Sequence, residues 1–118
     1  MVDSKIWTTE MTPKEAYWQA KQQGYGTPEL EAIIATDSWY YSYLYAKNVI
    51  KGRWEPGEAI ITTNAHYSYC YAIYAIKGRF PLGEPVISKS GYWKYYLIDL
   101  PMTDDEKAWL FLRYGAPK

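Results

Sequence analysis

At 118 residues the chain has the length of one domain with one modest core, and its thirteen basic and thirteen acidic side chains cancel, removing the global field that would draw it to nucleic acid or anionic lipid. One cysteine, Cys70, excludes an intrachain disulfide, and no paired Cys or Cys/His spacing offers a zinc site. The excess is aromatic: fourteen Tyr, six Trp and two Phe make 19% of the chain, more than the centre of a small core holds.

Residues 1–10 lack an apolar stretch of signal-peptide length, and no run reaches the roughly 18 apolar residues of a membrane span. A soluble, intracellular protein is therefore expected, with Ile6 and Trp7 tucked against the first helix. Thr12 as N-cap, Pro13 at the first helical position and Glu15 at the third make a capping-box start. Ala16, Tyr17, Ala20 and Lys21 follow at helical spacing, and Gly24 ends the helix. Thr27 and Pro28 repeat that start and predict a short helix over 28–35, with Leu30, Ile33 and Ile34 as its apolar members.

From Glu31 one pattern is stated twice. EAIIATDSWYYSYLYAKNVIKGRWEPG (31–57) is followed by EAIITTNAHYSYCYAIYAIKGRFPLG (58–83), and an eroded third copy, EPVISKSGYWKYYLIDLP, fills 84–101. The first step, Glu31 to Glu58, is 27 residues and the second, Glu58 to Glu84, is 26, a spacing that marks a repeat array. Asp37 is the expected cap of a longer helix over 38–51, with Gly52 as its left-handed C-terminal residue; Gly78 takes that role in the second copy. Tyr41, Tyr43 and Tyr45 alternate, as do Tyr67, Tyr69 and Tyr71, which is the strand reading. Segment length, mid-segment Ala46 and Ala72, and the recurring Lys-Gly-Arg favour helix instead.

Projected at about 100° per residue, Ser42, Tyr43, Tyr45, Ala46, Val49 and Ile50 share an arc of about 160° with their equivalents Ser68, Tyr69, Tyr71, Ala72, Ala75 and Ile76, the expected core stripe. Tyr40, Tyr41, Leu44, Lys47, Asn48 and Lys51 face the other way, against His66, Tyr67, Cys70, Ile73, Tyr74 and Lys77. The second set is too apolar for a free surface. Its expected cover is the C-terminal helix, capped by Thr103 with Glu106 and carrying Ala108, Trp109, Leu110, Phe111 and Leu112 up to Gly115; the alternative cover is a partner protein. Arg53 and Arg79 recur once per turn, either paired with Glu55, Glu58 or Glu84, or forming a basic edge for an acidic protein or a nucleic-acid backbone.

The expected architecture is all-α: one domain, 1–118, of short helical-hairpin repeats of about 26 residues stacked as a small α-solenoid. Residues 12–30 form an N-terminal cap helix and linker, 31–57 and 58–83 the two repeats, 84–101 a degenerate third, and 102–118 a C-terminal cap helix. Catalytic chemistry is not expected. His66 is the only histidine, and a Ser68 or Ser42 arrangement with Asp37 lacks a nucleophile elbow. Asp104, Asp105 and Glu106 suit the first turn of a helix, Cys70 suits helix packing, and no phosphate loop or metal-ligand set is present, so no cofactor is anticipated.

The repeated line, with its Tyr-x-Tyr-Ala and Ile-Lys-Gly-Arg signatures at 43–46 and 50–53 and again at 69–72 and 76–79, resembles a tandem repeat of tailed-bacteriophage proteins of mostly unassigned function. The likeness covers 31–83 well and 84–99 loosely. It implies a phage or prophage context in the bacterial host cytoplasm, no inherited catalytic motif, and an accessory factor that blocks a defence system such as a CRISPR effector or another nuclease. The residues expected to bind such a host protein are Tyr40, Tyr41, Lys47, Lys51, Arg53 and Arg79, then His66, Tyr67 and Tyr74. Rival readings are single-stranded nucleic acid, with Lys51, Arg53, Lys77 and Arg79 on phosphates, a nucleotide pocket between repeats lined by Tyr hydroxyls, and a symmetric dimer through an aromatic face.

Overall fold

The computed structural model describes residues 11–117, so the expected packing of Ile6 and Trp7 lies outside the described residues. Eight α-helices and no strand make up those residues: α1 (Pro13–Gln23), α2 (Pro28–Asp37), α3 (Trp39–Tyr45), α4 (Glu58–Ile61), α5 (Ala65–Cys70), α6 (Glu84–Ser88), α7 (Trp93–Asp99) and α8 (Asp104–Tyr114). π-turns prolong α3 over Ala46–Ile50 and α5 over Tyr71–Ile76, while 3-10 turns at Glu55–Gly57 and Pro81–Gly83 lead into α4 and α6. The alternating tyrosines are thus helical, and the fold is all-α with a helical-repeat-like architecture.

The polar caps expected at Thr12, Thr27 and Thr103 are in place, and the Thr12 and Thr103 caps are full capping boxes. Two local expectations are corrected. Ser38, not Asp37, caps α3: its Oγ accepts from the Tyr41 N–H at 3.0 Å, as Asn64 Oδ1 accepts from Tyr67 in α5 at 2.9 Å. The left-handed residues are Lys51 (φ 62°) and Lys77 (φ 61°), not Gly52 and Gly78. The cause is the π-turn, which widens the closing loop by one residue. Lys51 N–H and Gly52 N–H both donate to Ala46 O, at 2.7 and 3.1 Å, and the Lys77 and Gly78 N–H groups converge in the same way on Ala72 O.

The cap residues also reveal a register that the sequence reading missed. Thr12, Ser38, Asn64 and Ser90 recur at 26-residue steps, and each offers its side-chain oxygen to a backbone N–H just downstream. Four residues after the first three caps, Ala16, Ser42 and Ser68 are fully buried; eight after, so are Ala20, Ala46 and Ala72. α1, expected only as a terminal cap, therefore has the local structure of the long helix of each repeat. It differs in closing with an ordinary turn, Gly24 N–H to Ala20 O at 2.9 Å. The residue that copy one carries in excess falls between Glu31 and its cap Ser38.

Each step is held by the same contacts. Ser42 and Ser68 donate to the carbonyls of Ile34 and Ile61, at 3.2 and 3.0 Å. Tyr45, Tyr71 and Tyr96 donate to Glu31, Glu58 and Glu84, at 2.5, 2.6 and 2.7 Å. Tyr71 and Tyr96 also accept from the N–H groups of Trp54 and Phe80, so their phenols satisfy two buried polar groups at once. The Trp54 ring packs edge-on against Tyr45 (4.6 Å between centroids) and Phe80 against Tyr71 (4.8 Å). Gly57 and Gly83 lie directly on these rings, where an added Cβ would come within 2.5 Å. Packing joins elements adjacent in sequence or one repeat apart, and the principal extents are 59 × 23 × 17 Å.

α8 packs at the far end. Leu110 is fully buried, Tyr114 meets the Trp93 ring edge-on at 5.7 Å, and Trp93 Nε1 donates to Gly115 O at 2.9 Å. Glu106 and Trp109 both reach Arg79. These anchor points lie on Arg79 and Trp93. The roof expected from this helix over Cys70, Ile73 and Tyr74 is not where it packs: Tyr74 is half exposed.

Candidate interaction surface

The 26-residue register repeats aromatic side chains at equivalent positions, of which His66 and Tyr92 meet directly. Tyr17, Tyr43 and Tyr69 form one series and Tyr40, His66 and Tyr92 another. Contacts between the series and their neighbours build a ladder from α1 to the start of α7. Tyr17 meets Tyr41 (5.7 Å between centroids), Tyr41 meets Tyr40 (4.9 Å), and Tyr40 meets Tyr67 (5.5 Å). Trp39 stacks on Tyr67 at 4.8 Å, His66 bridges Tyr67 and Tyr92 at 4.7 and 5.0 Å, and Tyr92 stacks on Tyr69 at 5.5 Å. Such ring pairs add to simple area burial and leave each ring few rotamers.

Exposure along the ladder is graded. Tyr43 is buried, Tyr41, Tyr67, Tyr69 and Tyr92 are half buried, and Tyr40 and His66 are exposed. Burial is the main cause that pushes the Tyr43, Tyr67 and Tyr69 hydroxyls above the usual phenol range, and for Tyr69 the hydrogen bond to Asp99 (2.7 Å) adds to it. These groups stay neutral and keep a proton to donate. Beside the ladder, Lys47 Nζ sits 5.9 Å from the Tyr43 ring centroid and 5.4 Å from that of Tyr74, within cation–π range. Among the described residues Lys47 forms no ion pair, so its charge is available.

Of the nine residues singled out from the sequence, the structure brings six together: Tyr40, Tyr41, His66 and Tyr67 in the ladder, Lys47 and Tyr74 at its flank. The other three do not join them through any ring or charge contact. Lys51 is an exposed helix end. Arg53 donates to both oxygens of Glu58, at 3.0 and 3.3 Å, and Arg79 to both oxygens of Glu84, at 2.8 and 2.9 Å. The ladder members Tyr17, Trp39, Tyr69 and Tyr92 were missed, although steps of 26 relate Tyr17 and Tyr69 through Tyr43, and Tyr92 to His66 and Tyr40.

The groups weighed for catalysis have structural engagements. Ser42 and Ser68 are buried against backbone carbonyls, His66 Nε2 lies 3.5 Å from Cys70 Sγ, and burial raises the Cys70 thiol above its ordinary range. Among the described residues no cluster of three or more His, Cys, Asp or Glu is placed to hold a metal ion, and no helix is long and apolar enough to cross a membrane. A cavity of about 220 Å³ opens near the C-terminal end, between Lys89, Ser90, Trp93, Lys94 and Tyr114. Neither a known family model, nor a curated protein, nor a solved structure matches the chain.

Proposed function

We propose that this chain is a non-enzymatic protein-binding module that acts by occupying a partner's surface with the aromatic ladder. The observation that carries this reading is the continuity of the ladder across three repeats, with Tyr40, His66 and Tyr74 left exposed along it. Rings held by neighbouring rings lose little further entropy on binding, and Tyr and Trp are the side chains that dominate interface energetics. In this reading the repeats stack as a short α-solenoid closed by α8, and the solenoid spaces the rings. The partner class follows from the phage-repeat resemblance: a nuclease or other defence complex of the bacterial host cytoplasm. Single-stranded nucleic acid is the weaker reading, because Arg53 and Arg79, two of the four cations it would use, are engaged by carboxylates.

The experiment is affinity capture from bacterial lysate, with and without nuclease, followed by titration of the captured protein with variants. Tyr40→Ala and His66→Ala are expected to weaken binding by about 2 kcal/mol, roughly thirtyfold, with the variants still folded and their melting temperatures lowered only by the lost ring contacts. Capture that vanishes on nuclease treatment overturns the reading, as does binding indifferent to both variants. A concentration-dependent mass in the absence of partner would instead assign the face to a symmetric dimer.

A further inference from the structure

Two of the three copies pair a glutamate with an arginine of the same turn, and the first copy does not. In the second and third copies a buried glutamate accepts the phenol of the tyrosine 13 or 12 residues later, and both its oxygens accept from the arginine five residues earlier: Tyr71 and Arg53 on Glu58, Tyr96 and Arg79 on Glu84. The first copy keeps the carboxylate and the phenol, with Tyr45 Oη 2.5 Å from Glu31 Oε2. The left-handed residues Gly24, Lys51 and Lys77 each stand seven residues before the glutamate, although α1 closes without a π-turn and Glu31 lies inside α2, whereas Glu58 and Glu84 follow 3-10 turns. The residue five before Glu31, however, is Gly26. A Cβ there would fall 1.7 Å from the Tyr45 hydroxyl oxygen, so this chain cannot supply its own arginine from that position.

Glu31 accordingly differs from its equivalents in burial. Glu58 and Glu84 are buried, whereas Glu31 is half exposed, and among the described residues it forms no ion pair. We propose that Glu31 and Tyr45 form a binding site for the guanidinium of an arginine on a partner protein, which enters where Arg53 and Arg79 sit in the later copies. Tyr45 holds one carboxylate oxygen and fixes the plane of the other, so the incoming fork meets a preoriented acceptor. Lysine offers a single point charge and gains less from that plane. The site is independent of the ladder and stands whether or not the ladder is an interface.

The test is a titration of the whole protein with N-acetyl-L-arginine amide, following the Glu31 side-chain carboxyl carbon by NMR. A saturable shift is expected, at least about threefold tighter than with N-acetyl-L-lysine amide because of the bidentate geometry, and lost in Glu31→Gln. Arg53→Gly provides the internal comparison, since it empties the equivalent site and is expected to create a second saturable response at Glu58. Equal response to arginine and lysine, a response that survives Glu31→Gln, or a response at Glu58 in Arg53→Gly without one at Glu31 overturns the proposal.

Discussion

Arg79 and Arg53 occupy the same position in their turns but meet carboxylates in different surroundings. Arg79 is about a quarter exposed and grips Glu84, which is 1% exposed, while the Arg53 side chain is 42% exposed. Solvent screens the second pair more. Arg79→Ala is therefore expected to cost about 2–3 kcal/mol in urea unfolding, against about 1 kcal/mol or less for Arg53→Ala. Tyr96→Phe isolates a different part of the same arrangement. It removes the hydroxyl that donates to Glu84 and accepts from the Phe80 N–H, leaving two buried groups short of a partner, at about 1–3 kcal/mol. The Arg–Glu pairing was one of two readings the sequence left open, because both residues lie on one turn. The tyrosine was not, because its hydroxyl reaches a glutamate on another helix.

At the scale of the element, helix starts were easier to read than helix ends. Thr12, Thr27 and Thr103 cap their helices through side-chain oxygens that act within three residues, so the information is local. The ends of α3 and α5 depend instead on whether the last turn closes as α or π, and that choice moves the left-handed position from glycine to lysine. A lysine at positive φ carries a backbone cost that glycine does not. Lys77→Gly is expected to raise stability by up to about 1 kcal/mol in thermal melts, an effect that Gly78→Ala would not mirror. Gly83→Ala tests the facing surface. Its methyl would meet the Phe80 ring at 2.5 Å and Ser68 Cβ at 3.2 Å, and the overpacking is expected to lower stability by about 1–3 kcal/mol.

Across the whole molecule the phenols act together. Tyr43, Tyr45, Tyr69, Tyr71 and Tyr96 all have their hydroxyls pushed up, first by burial and, for all but Tyr43, next by a carboxylate that accepts the proton in a hydrogen bond. Their folded pKa values lie above the unfolded value of about 10, so their contribution is fully present below that pH. Above it the unfolded chain ionises while the native state keeps its protons, and stability falls as pH rises. Each of the buried phenols Tyr43, Tyr45, Tyr71 and Tyr96 adds up to about 1.4 kcal/mol per pH unit and the more exposed Tyr69 less, so the urea midpoint is expected to drop steeply above pH 10 and to coincide with a cooperative rise in tyrosinate absorbance. A midpoint that stays flat to pH 11 would show these hydroxyls to be solvated in the folded protein. The sequence by itself determined the all-α class and the capped helix starts at Thr12, Thr27 and Thr103, because caps act over a few residues; of the expected core stripe Ser42, Tyr43, Tyr45 and Ala46 are buried, whereas Ile50 is exposed at the end of its π-turn. Only the tertiary structure decided that α1 belongs to the same register, that Arg53 and Arg79 turn to carboxylates while the tyrosines line up, and that Glu31 lacks an arginine. Each of those depends on which side chains from different copies meet, and a 26-residue separation fixes that through packing, not through local preference.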